Sequence, residues 1–141
     1  MKKNLVRDWM TANPVTIGTK TSLHDAHALM KEKRVRRLLV VEDDRLVGIV
    51  TLGDVREAEP SSATSLSIFE LHYLLAKLTI DEIMTKDPLT VAADAIIRDA
   101  AKLMMDQKIG GLPVVDGSAL VGIITESDIF RVLVQWLDNA E

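Results

Sequence analysis

The sequence LVGIVT at Leu46–Thr51 returns 74 residues later as LVGIIT at Leu120–Thr125. A second stretch, MTANPVTI at Met10–Ile17, returns at the same offset as MTKDPLTV at Met84–Val91. Because both pairs keep one offset without a gap, a whole structural unit is duplicated rather than a short motif. Two copies of one fold tend to pack about an approximate two-fold axis. We therefore expect a cleft with two related halves, and we expect the functional site to lie in this cleft.

Length and composition limit the possible classes of protein. A chain of 141 residues suits one domain or two very small ones, and repeats of about 50 residues lie near the lower limit for an independent core, so we expect one shared module. The absence of cysteine excludes disulfides and thiolate chemistry. The first residues lack the apolar run of a signal peptide, and no stretch is long enough to span a bilayer, so a cytoplasmic location without membrane association is expected. A net charge of −4 argues against nucleic acid as a partner.

Both repeats predict the same order of elements, namely an extended segment, a helix, two strands and a second helix. In repeat one these are Val15–Ile17, Ser22–Lys33 with Thr21 or Ser22 as its N-cap, Leu38–Val41, Leu46–Thr51 and Leu52–Ala58. In repeat two they are Leu89–Val91, Ala95–Gln107, Leu112–Val115, Ala119–Thr125 and Glu126–Trp136, with a turn at Asp116–Ser118. Three methionines, Met30, Met104 and Met105, are predicted to fill the core.

The division of the chain follows from these repeats. Residues 1–58 form the first repeat, 59–78 an insert and 79–141 the second repeat. The insert begins with a loop, and a helix is predicted from Leu66 to Leu78. This helix is apolar enough to need a partner, which is either its own module or a second chain.

Three motifs, found twice in one order, resemble a tandem pair of CBS domains, also called a Bateman module. They are Met-Thr-x-x-Pro-x-Thr at 10–16 and 84–90, RRLLVV and GGLPVV at 36–41 and 110–115, and Leu-Val-Gly-Ile-x-Thr-x-x-Asp at 46–54 and 120–128. Each motif alone is weak evidence for this family, whereas three motifs that occur twice in the same order at one fixed offset are strong evidence. The chain looks most like stand-alone bacterial CBS pairs and is loosely similar to those of the acetoin-utilization type.

The resemblance implies a mixed α/β (α+β) fold in which two CBS motifs pack by pseudo-two-fold symmetry. It also implies a regulatory module, not an enzyme, that binds an adenosine-containing ligand such as AMP, ADP, ATP or S-adenosylmethionine. No other cofactor is required. Two such modules often form a disc-like homodimer, and an unknown regulated protein would read the change that ligand binding causes.

Two Thr-x-x-Asp pairs, Thr51 with Asp54 and Thr125 with Asp128, follow the last strand of each repeat. By resemblance each aspartate accepts hydrogen bonds from the 2′- and 3′-hydroxyls of ribose, and a charged acceptor strengthens such bonds. The threonine lies near a helix N-terminus, where phosphate is favoured. The same pattern is also a helix capping box. Both roles are compatible, because threonine can cap the helix while aspartate faces the cleft.

Arg36 and Arg37 precede the first strand of repeat one, at a position where relatives often place a basic residue against phosphate. The planar fork of arginine makes paired hydrogen bonds to phosphate. The alternative is a solvated basic patch. The matching residues of repeat two, Gly110 and Gly111, offer backbone N–H groups but no charge.

The resemblance assigns two unequal half-sites, with apolar members enclosing adenine. The first half-site comprises Arg36, Arg37, Ile49, Thr51 and Asp54, with Met84, Leu89, Ile109 and Gly110 from the other repeat. The second comprises Gly110, Gly111, Ile123, Thr125 and Asp128, with Met10, Val15, Val35 and Arg36 across the cleft. Because Glu126 adds negative charge to the second half-site, the first is expected to prefer the more highly phosphorylated ligand.

Other functions have less support in the sequence. A dimerisation scaffold that binds no ligand is the main alternative. His24 and His27 have a spacing that can hold a metal, but no third ligand is evident, so no metal site is predicted. No combination of nucleophile, base and orienting acid is recognisable, so no catalytic residues are predicted.

Overall fold

The computed structural model describes residues 4–59 and 67–140. These residues form a mixed α+β fold with five α-helices and two four-stranded sheets. In chain order the elements are β1 (Thr11–Ala12), β2 (Thr16–Gly18), α1 (Leu23–Lys33), β3 (Arg37–Glu42), β4 (Arg45–Thr51), α2 (Leu52–Ala58), α3 (Ile68–Lys77), β5 (Thr85–Lys86), β6 (Val91–Ala92), α4 (Ile97–Gln107), β7 (Gly111–Asp116), β8 (Ala119–Thr125) and α5 (Glu126–Asn139), with 3-10 turns at Val6–Asp8 and Ile80–Glu82.

The chain forms two compact units whose limits differ from those of the sequence repeats. The first unit is Val15–Pro88, and the second joins Met1–Pro14 to Leu89–Glu141. Each unit therefore contains the helices and hairpin of one repeat together with the Met-Thr segment of the other. The grouping of residues 1–58, 59–78 and 79–141 into one module remains a prediction from the sequence.

The first unit is built on the sheet β2-β3-β4-β5. Strand β2 runs parallel to β3, while β3–β4 and β4–β5 are antiparallel pairs. Helix α1 begins where predicted, because Ser22 Oγ accepts a hydrogen bond from the backbone N–H of Asp25 at 3.0 Å. The buried side chains of the unit include Leu23, Leu38 and Val50. The predicted order of helix and strands is confirmed in this unit.

The second unit repeats this arrangement in the sheet β1-β8-β7-β6. The β7–β8 hairpin turns at Gly117, whose φ of 62° suits glycine, as the predicted turn requires. Helix α4 begins at Ile97 rather than at the predicted Ala95. The carbonyl oxygen of Ala95 accepts a hydrogen bond from Val6 N–H at 2.9 Å, and the neighbouring Ile96 forms a β-bridge with Leu5. The N-terminal segment thus keeps this stretch extended.

In each unit, one strand glycine leaves room for the Met-Thr segment that the other repeat contributes to that unit. A Cβ added to Gly122 would lie 2.5 Å from Met10 Sδ and 2.8 Å from the carbonyl oxygen of Thr11. A Cβ added to Gly48 would collide with Met84 Sδ and lie 3.0 Å from its Cγ. The two methionines pack over these glycines, so β1 can pair with β8 and β5 with β4. This packing explains why glycine stands in the LVGI motif of both repeats.

The inserted helix α3 packs on its own unit through part of its surface only. Leu75 and Leu78 contact the buried cluster, and the carbonyl oxygen of Leu78 accepts a hydrogen bond from Leu23 N–H at 2.8 Å. Phe69 and Tyr73 lie on the exposed side, with exposed fractions of 82% and 59%. The first residue of the predicted helix, Leu66, lies outside the described residues.

Two predictions for repeat two need correction. Met104 is buried as expected, but Met105 is 78% exposed, so the prediction that it fills the core is wrong. The helical period turns Met105 away from the face of α4 that carries Ala100 and Met104. Helix α5 extends past the predicted end at Trp136 to Asn139.

Candidate functional site

The first unit brings two predicted arginines next to the turn between β4 and α2. Arg37 and Thr51 are register partners across the β3–β4 pair. The carbonyl oxygen of Arg36 accepts a hydrogen bond from Leu52 N–H at 2.8 Å. We call the group of Arg36, Arg37, Thr51 and Asp54 the Asp54 corner. Its four members were all predicted as ligand-binding residues, and the fold places them together.

The Asp54 corner contains a capping box that leaves one carboxylate oxygen available. The backbone N–H of Thr51 donates to Asp54 Oδ2 at 2.9 Å, and the N–H of Asp54 donates to Thr51 Oγ1 at 3.1 Å. Within the described part of the chain, Asp54 Oδ1 makes no hydrogen bond or ion pair, and the residue is only partly buried. Capping therefore uses one oxygen of Asp54, and the second can accept a hydrogen bond from a ligand.

The residues along β4 next to this corner divide between its two faces. Ile49 lies two residues before Thr51, so both side chains point to the same face of the strand, and both are partly buried. Met84 lies over Gly48 and packs against the buried cluster, on the opposite face. Ile49 thus lies on the same face of β4 as Thr51 of the Asp54 corner, whereas the side chain of Met84 packs against the core.

The second unit has a matching corner formed by Gly110, Gly111, Thr125 and Asp128, which we call the Asp128 corner. Gly111 and Thr125 are register partners, and the carbonyl oxygen of Gly110 accepts a hydrogen bond from Glu126 N–H at 3.1 Å. These contacts repeat those of the Asp54 corner. Ile123 precedes Thr125 by two residues, as Ile49 precedes Thr51.

The two aspartates differ in the partners of their carboxylates. Asp128 is only 2% exposed, and its Oδ2 accepts hydrogen bonds from the backbone N–H of Thr125 at 2.8 Å and from the hydroxyl of Thr125 at 3.3 Å. Its Oδ1 is bound by the guanidinium of Arg131, three residues further along α5. Both oxygens of Asp128 therefore already have partners inside the protein.

Sequence reasoning missed the contribution of Arg131. Acid and base three residues apart lie on one side of a helix, so the pair with Asp128 was predictable from spacing alone. The matching residue of repeat one is Glu57, which carries the opposite charge and is exposed. The repeats therefore differ at a position next to the predicted ribose acceptor.

Some predicted members of each half-site belong to the opposite unit. That these residues join the corner of the other unit in one ligand site stays a prediction. For the first half-site these are Leu89, Ile109 and Gly110 in the second unit; for the second half-site they are Val15, Val35 and Arg36 in the first unit. Met10, predicted for the second half-site, lies in the second unit and packs over Gly122.

The second unit also contains a cavity of about 460 Å³ that the sequence did not indicate. Helices α4 and α5 form most of its wall, and Lys108, Ile109 and Gly110, which follow α4, complete it. Met105 and Phe130 line it although both are highly exposed, so the cavity is a surface groove. Lys108 and Glu126 are the charged members of its lining.

The described residues contain no group of three histidine, cysteine or acidic side chains able to hold a metal ion. His27 Nδ1 instead lies 2.7 Å from Glu59 Oε1, a contact that connects α1 to the end of α2. Across 4–59 and 67–140, no helix has both the length and the hydrophobicity to cross a bilayer.

The family of the chain is established by comparison with known proteins. The model of the CBS domain matches twice, at residues 6–61 and 80–135. The chain belongs to the CBS-domain family. The two matches correspond to the two sequence repeats, and the resemblance inferred from the three motifs is confirmed.

Solved CBS pairs share this fold over nearly the whole chain. A putative acetoin utilization protein from Vibrio cholerae is 34% identical, with a TM-score of 0.78 over 95% of this chain and 93% of the other. CBSX2 of Arabidopsis thaliana, solved in complex with AMP, is 33% identical, with a TM-score of 0.77 over 94% and 97% of the two chains. The CBS pair of the protein MJ0100, solved with methylthioadenosine and S-adenosylmethionine, is 30% identical, with a TM-score of 0.77 over 93% and 96%.

Some curated relatives carry the CBS pair within a longer protein. An inosine-5′-monophosphate dehydrogenase of Korarchaeum cryptofilum is 36% identical over 127 residues, which cover 89% of this chain but only 22% of the enzyme. The chain spans about a fifth of the length of this relative.

Proposed function

We propose that this CBS pair is a regulatory module that binds an adenosine-containing ligand, such as AMP, ADP, ATP or S-adenosylmethionine, at the Asp54 corner. The main support for this proposal is the carboxylate of Asp54. One of its oxygens caps α2, and the other has no partner among the described residues. The solved complexes of related CBS pairs with AMP and with S-adenosylmethionine support this ligand class.

Each residue of the corner has a distinct role in this proposal. Asp54 Oδ1 accepts hydrogen bonds from the ribose hydroxyls, and its negative charge strengthens them. Arg36 and Arg37 bind the phosphates of a nucleotide, because a guanidinium pairs with phosphate oxygens in a fixed geometry. Ile49 packs against the adenine ring. The seven-residue helix α2 is short, so the arginines rather than the helix supply the positive charge.

Regulation requires the ligand to distinguish two states of the protein. A ligand that binds both states equally shifts nothing, however tight the binding. In this proposal the ligand favours one conformation of the CBS pair, and a partner protein reads that conformation. We propose no catalytic step and no resident cofactor. The cytoplasmic location expected from the sequence stays a prediction.

Calorimetric titration of AMP, ATP and S-adenosylmethionine tests the proposal, with GMP as a control for the base. Asp54→Asn keeps an oxygen that can cap α2 but removes the charge. Hydrogen bonds to a charged group contribute about 1.5–3 kcal/mol, so the substitution should weaken binding about 10- to 100-fold. The matched control is Asp25→Asn, which removes an exposed carboxylate from the same capping position of α1.

A scaffold without ligand binding remains the second candidate function, because α3 and α5 expose apolar surface. A ligand bound only by the folded form adds about 2.7 kcal/mol of stability at 100 times its dissociation constant. An unchanged melting temperature at millimolar AMP, ATP and S-adenosylmethionine would favour the scaffold and refute the proposed sensor.

We also propose that the protein is a homodimer whose contact is the apolar face of α5. Phe130, Val134 and Trp136 are 62%, 58% and 58% exposed on this helix, and Leu133 and Leu137 add further apolar area. A second copy offers the same apolar surface, and two-fold dimers are the commonest oligomers. Phe130 and Met105 also line the groove between α4 and α5, which gives an aromatic side chain of the partner a place to pack.

Sedimentation equilibrium of Phe130→Glu tests this contact, with Phe69→Glu on α3 as the comparison. A buried interface aromatic contributes about 2 kcal/mol or more, and a symmetric dimer contains it twice, so the dissociation constant should rise about 1000-fold. Dissociation by Phe69→Glu instead would assign the contact to α3. A monomeric wild-type protein would refute the dimer.

A further inference from the structure

The two corners of the CBS pair are equivalent in sequence but differ in the availability of their aspartates. Asp54 Oδ2 accepts one hydrogen bond, and Oδ1 has no partner in the described part of the chain. Asp128 is buried, with Oδ2 bound twice by Thr125 and Oδ1 bound by Arg131.

This difference depends on one position of the second helix in each repeat. Arg131 follows Asp128 by three residues, and Glu57 follows Asp54 by three. An arginine at this spacing reaches the carboxylate from the same side of the helix, whereas a glutamate repels it. The Arg131 side chain is 59% exposed and that of Asp128 only 3%, so a buried carboxylate pairs with a guanidinium that also reaches solvent.

We propose that Arg131 determines ligand stoichiometry by occupying the ribose acceptor of the Asp128 corner. The protein then takes one adenosine-containing ligand per chain, at the Asp54 corner. This inference rests on the proposed function and deepens it. A ribose at the Asp128 corner would have to displace a charged donor held by the same helix and replace it with uncharged hydroxyls, which are weaker donors to a carboxylate.

Other features of the Asp128 corner also disfavour ligand binding there. Gly110 and Gly111 replace the two arginines of the Asp54 corner, so a phosphate finds no guanidinium at the matching positions. Arg131 nevertheless makes the sharper distinction, because it also excludes ligands that carry no phosphate.

Titration calorimetry with AMP on the full chain tests the inference through Glu57→Arg, which introduces the arginine of repeat two into repeat one. The new guanidinium should engage Asp54 Oδ1 and weaken AMP binding at least tenfold. The sign of this change is informative, because an added positive charge that did not reach Asp54 would tighten binding of the anionic ligand. Glu57→Gln is the matched control and should bind AMP within about twofold of wild type.

The reciprocal variant, Arg131→Ala, should free Asp128 Oδ1 and raise the stoichiometry for AMP, or for adenosine, from one toward two per chain. If this variant fails to fold, Glu57→Arg alone still tests the role of Arg131, because position 57 is exposed and the fold should tolerate the substitution. Two ligands bound per wild-type chain, or tighter AMP binding by Glu57→Arg, would overturn the role of Arg131 while leaving the proposed function intact. No binding of AMP, ATP or S-adenosylmethionine by wild type would overturn both.

Discussion

Replacing Gly122 by alanine should test how the Met-Thr segment of one repeat is bound by the other. The added Cβ would lie 2.5 Å from Met10 Sδ and 2.8 Å from the carbonyl oxygen of Thr11. The methionine side chain can move, but the carbonyl belongs to β1, which pairs with β8 through Thr11–Ile123 and Ala12–Gly122. Relief of the clash therefore requires β1 to shift away from the sheet.

The expected magnitude follows from two opposing contributions. Overpacking costs about 1–3 kcal/mol, and replacing a strand glycine by alanine returns about 0.5–1 kcal/mol. Because the contact involves a main-chain atom, we expect a net loss of about 2 kcal/mol for Gly122→Ala. In a chain of this size that lowers the melting temperature by about 6–8 °C. Gly48→Ala should cost less, about 1 kcal/mol, since its nearest main-chain contact, Thr85 O, is 3.1 Å away.

Urea unfolding gives these free energies, and amide hydrogen exchange locates the effect. Exchange should accelerate at Thr11 and Ala12 in Gly122→Ala and at Thr85 and Lys86 in Gly48→Ala. Adding Met10→Ala to Gly122→Ala should recover only part of the stability, because the carbonyl contact remains. Equal stability of Gly122→Ala and wild type, or unchanged exchange in β1, would refute this explanation of the motif glycine.

The other predictions concern charge, capping and phosphate. Lys20 Nζ lies 2.7 Å from Asp81 Oδ2, and the hydrogen bond from Lys20, followed by that from Thr79, lowers the pKa of Asp81 below its usual 3.8. This contribution to stability is therefore present above pH 3.8 and is lost as pH falls through the lowered pKa; an NMR titration should show the Asp81 pKa rising in Lys20→Ala, and an unchanged value would contradict the pairing. Ser22→Ala should destabilise the protein by about 1 kcal/mol in urea unfolding, since it removes the N-cap of α1, and a loss below 0.3 kcal/mol would argue against that cap. Arg36→Gln should weaken ATP binding more than AMP binding in calorimetry, with the difference shrinking at high salt, whereas equal losses would separate Arg36 from the phosphates.

The repeated motifs predicted much of the fold. The strands and helices of both repeats follow from local pattern, since apolar spacing selects a period and Ser22 and Gly117 mark a cap and a turn. Which chain segments combine to form each unit does not follow from local pattern. Strands β1 and β5 are two residues long, and only their non-local pairing with β8 and β4 places them in the unit of the other repeat.

The candidate site shows the same limit. The sequence predicted both Thr-x-x-Asp corners and left capping and ribose binding open as alternatives; the geometry at Asp54 accommodates both roles. The sequence did not distinguish Asp54 from Asp128, because motif comparison treats matching residues alike. The difference comes from Arg131, which lies outside the motif and acts through a contact within its own helix. The exposure of Met105 was missed because a run of two methionines does not say which one faces the core.

A crystal structure of the AMP complex would show directly whether the Asp54 carboxylate accepts the ribose hydroxyls. We expect AMP with its ribose hydroxyls about 3 Å from the Asp54 carboxylate, while Arg131 still pairs with Asp128. AMP bound elsewhere, with the Asp54 carboxylate facing only solvent, would contradict it.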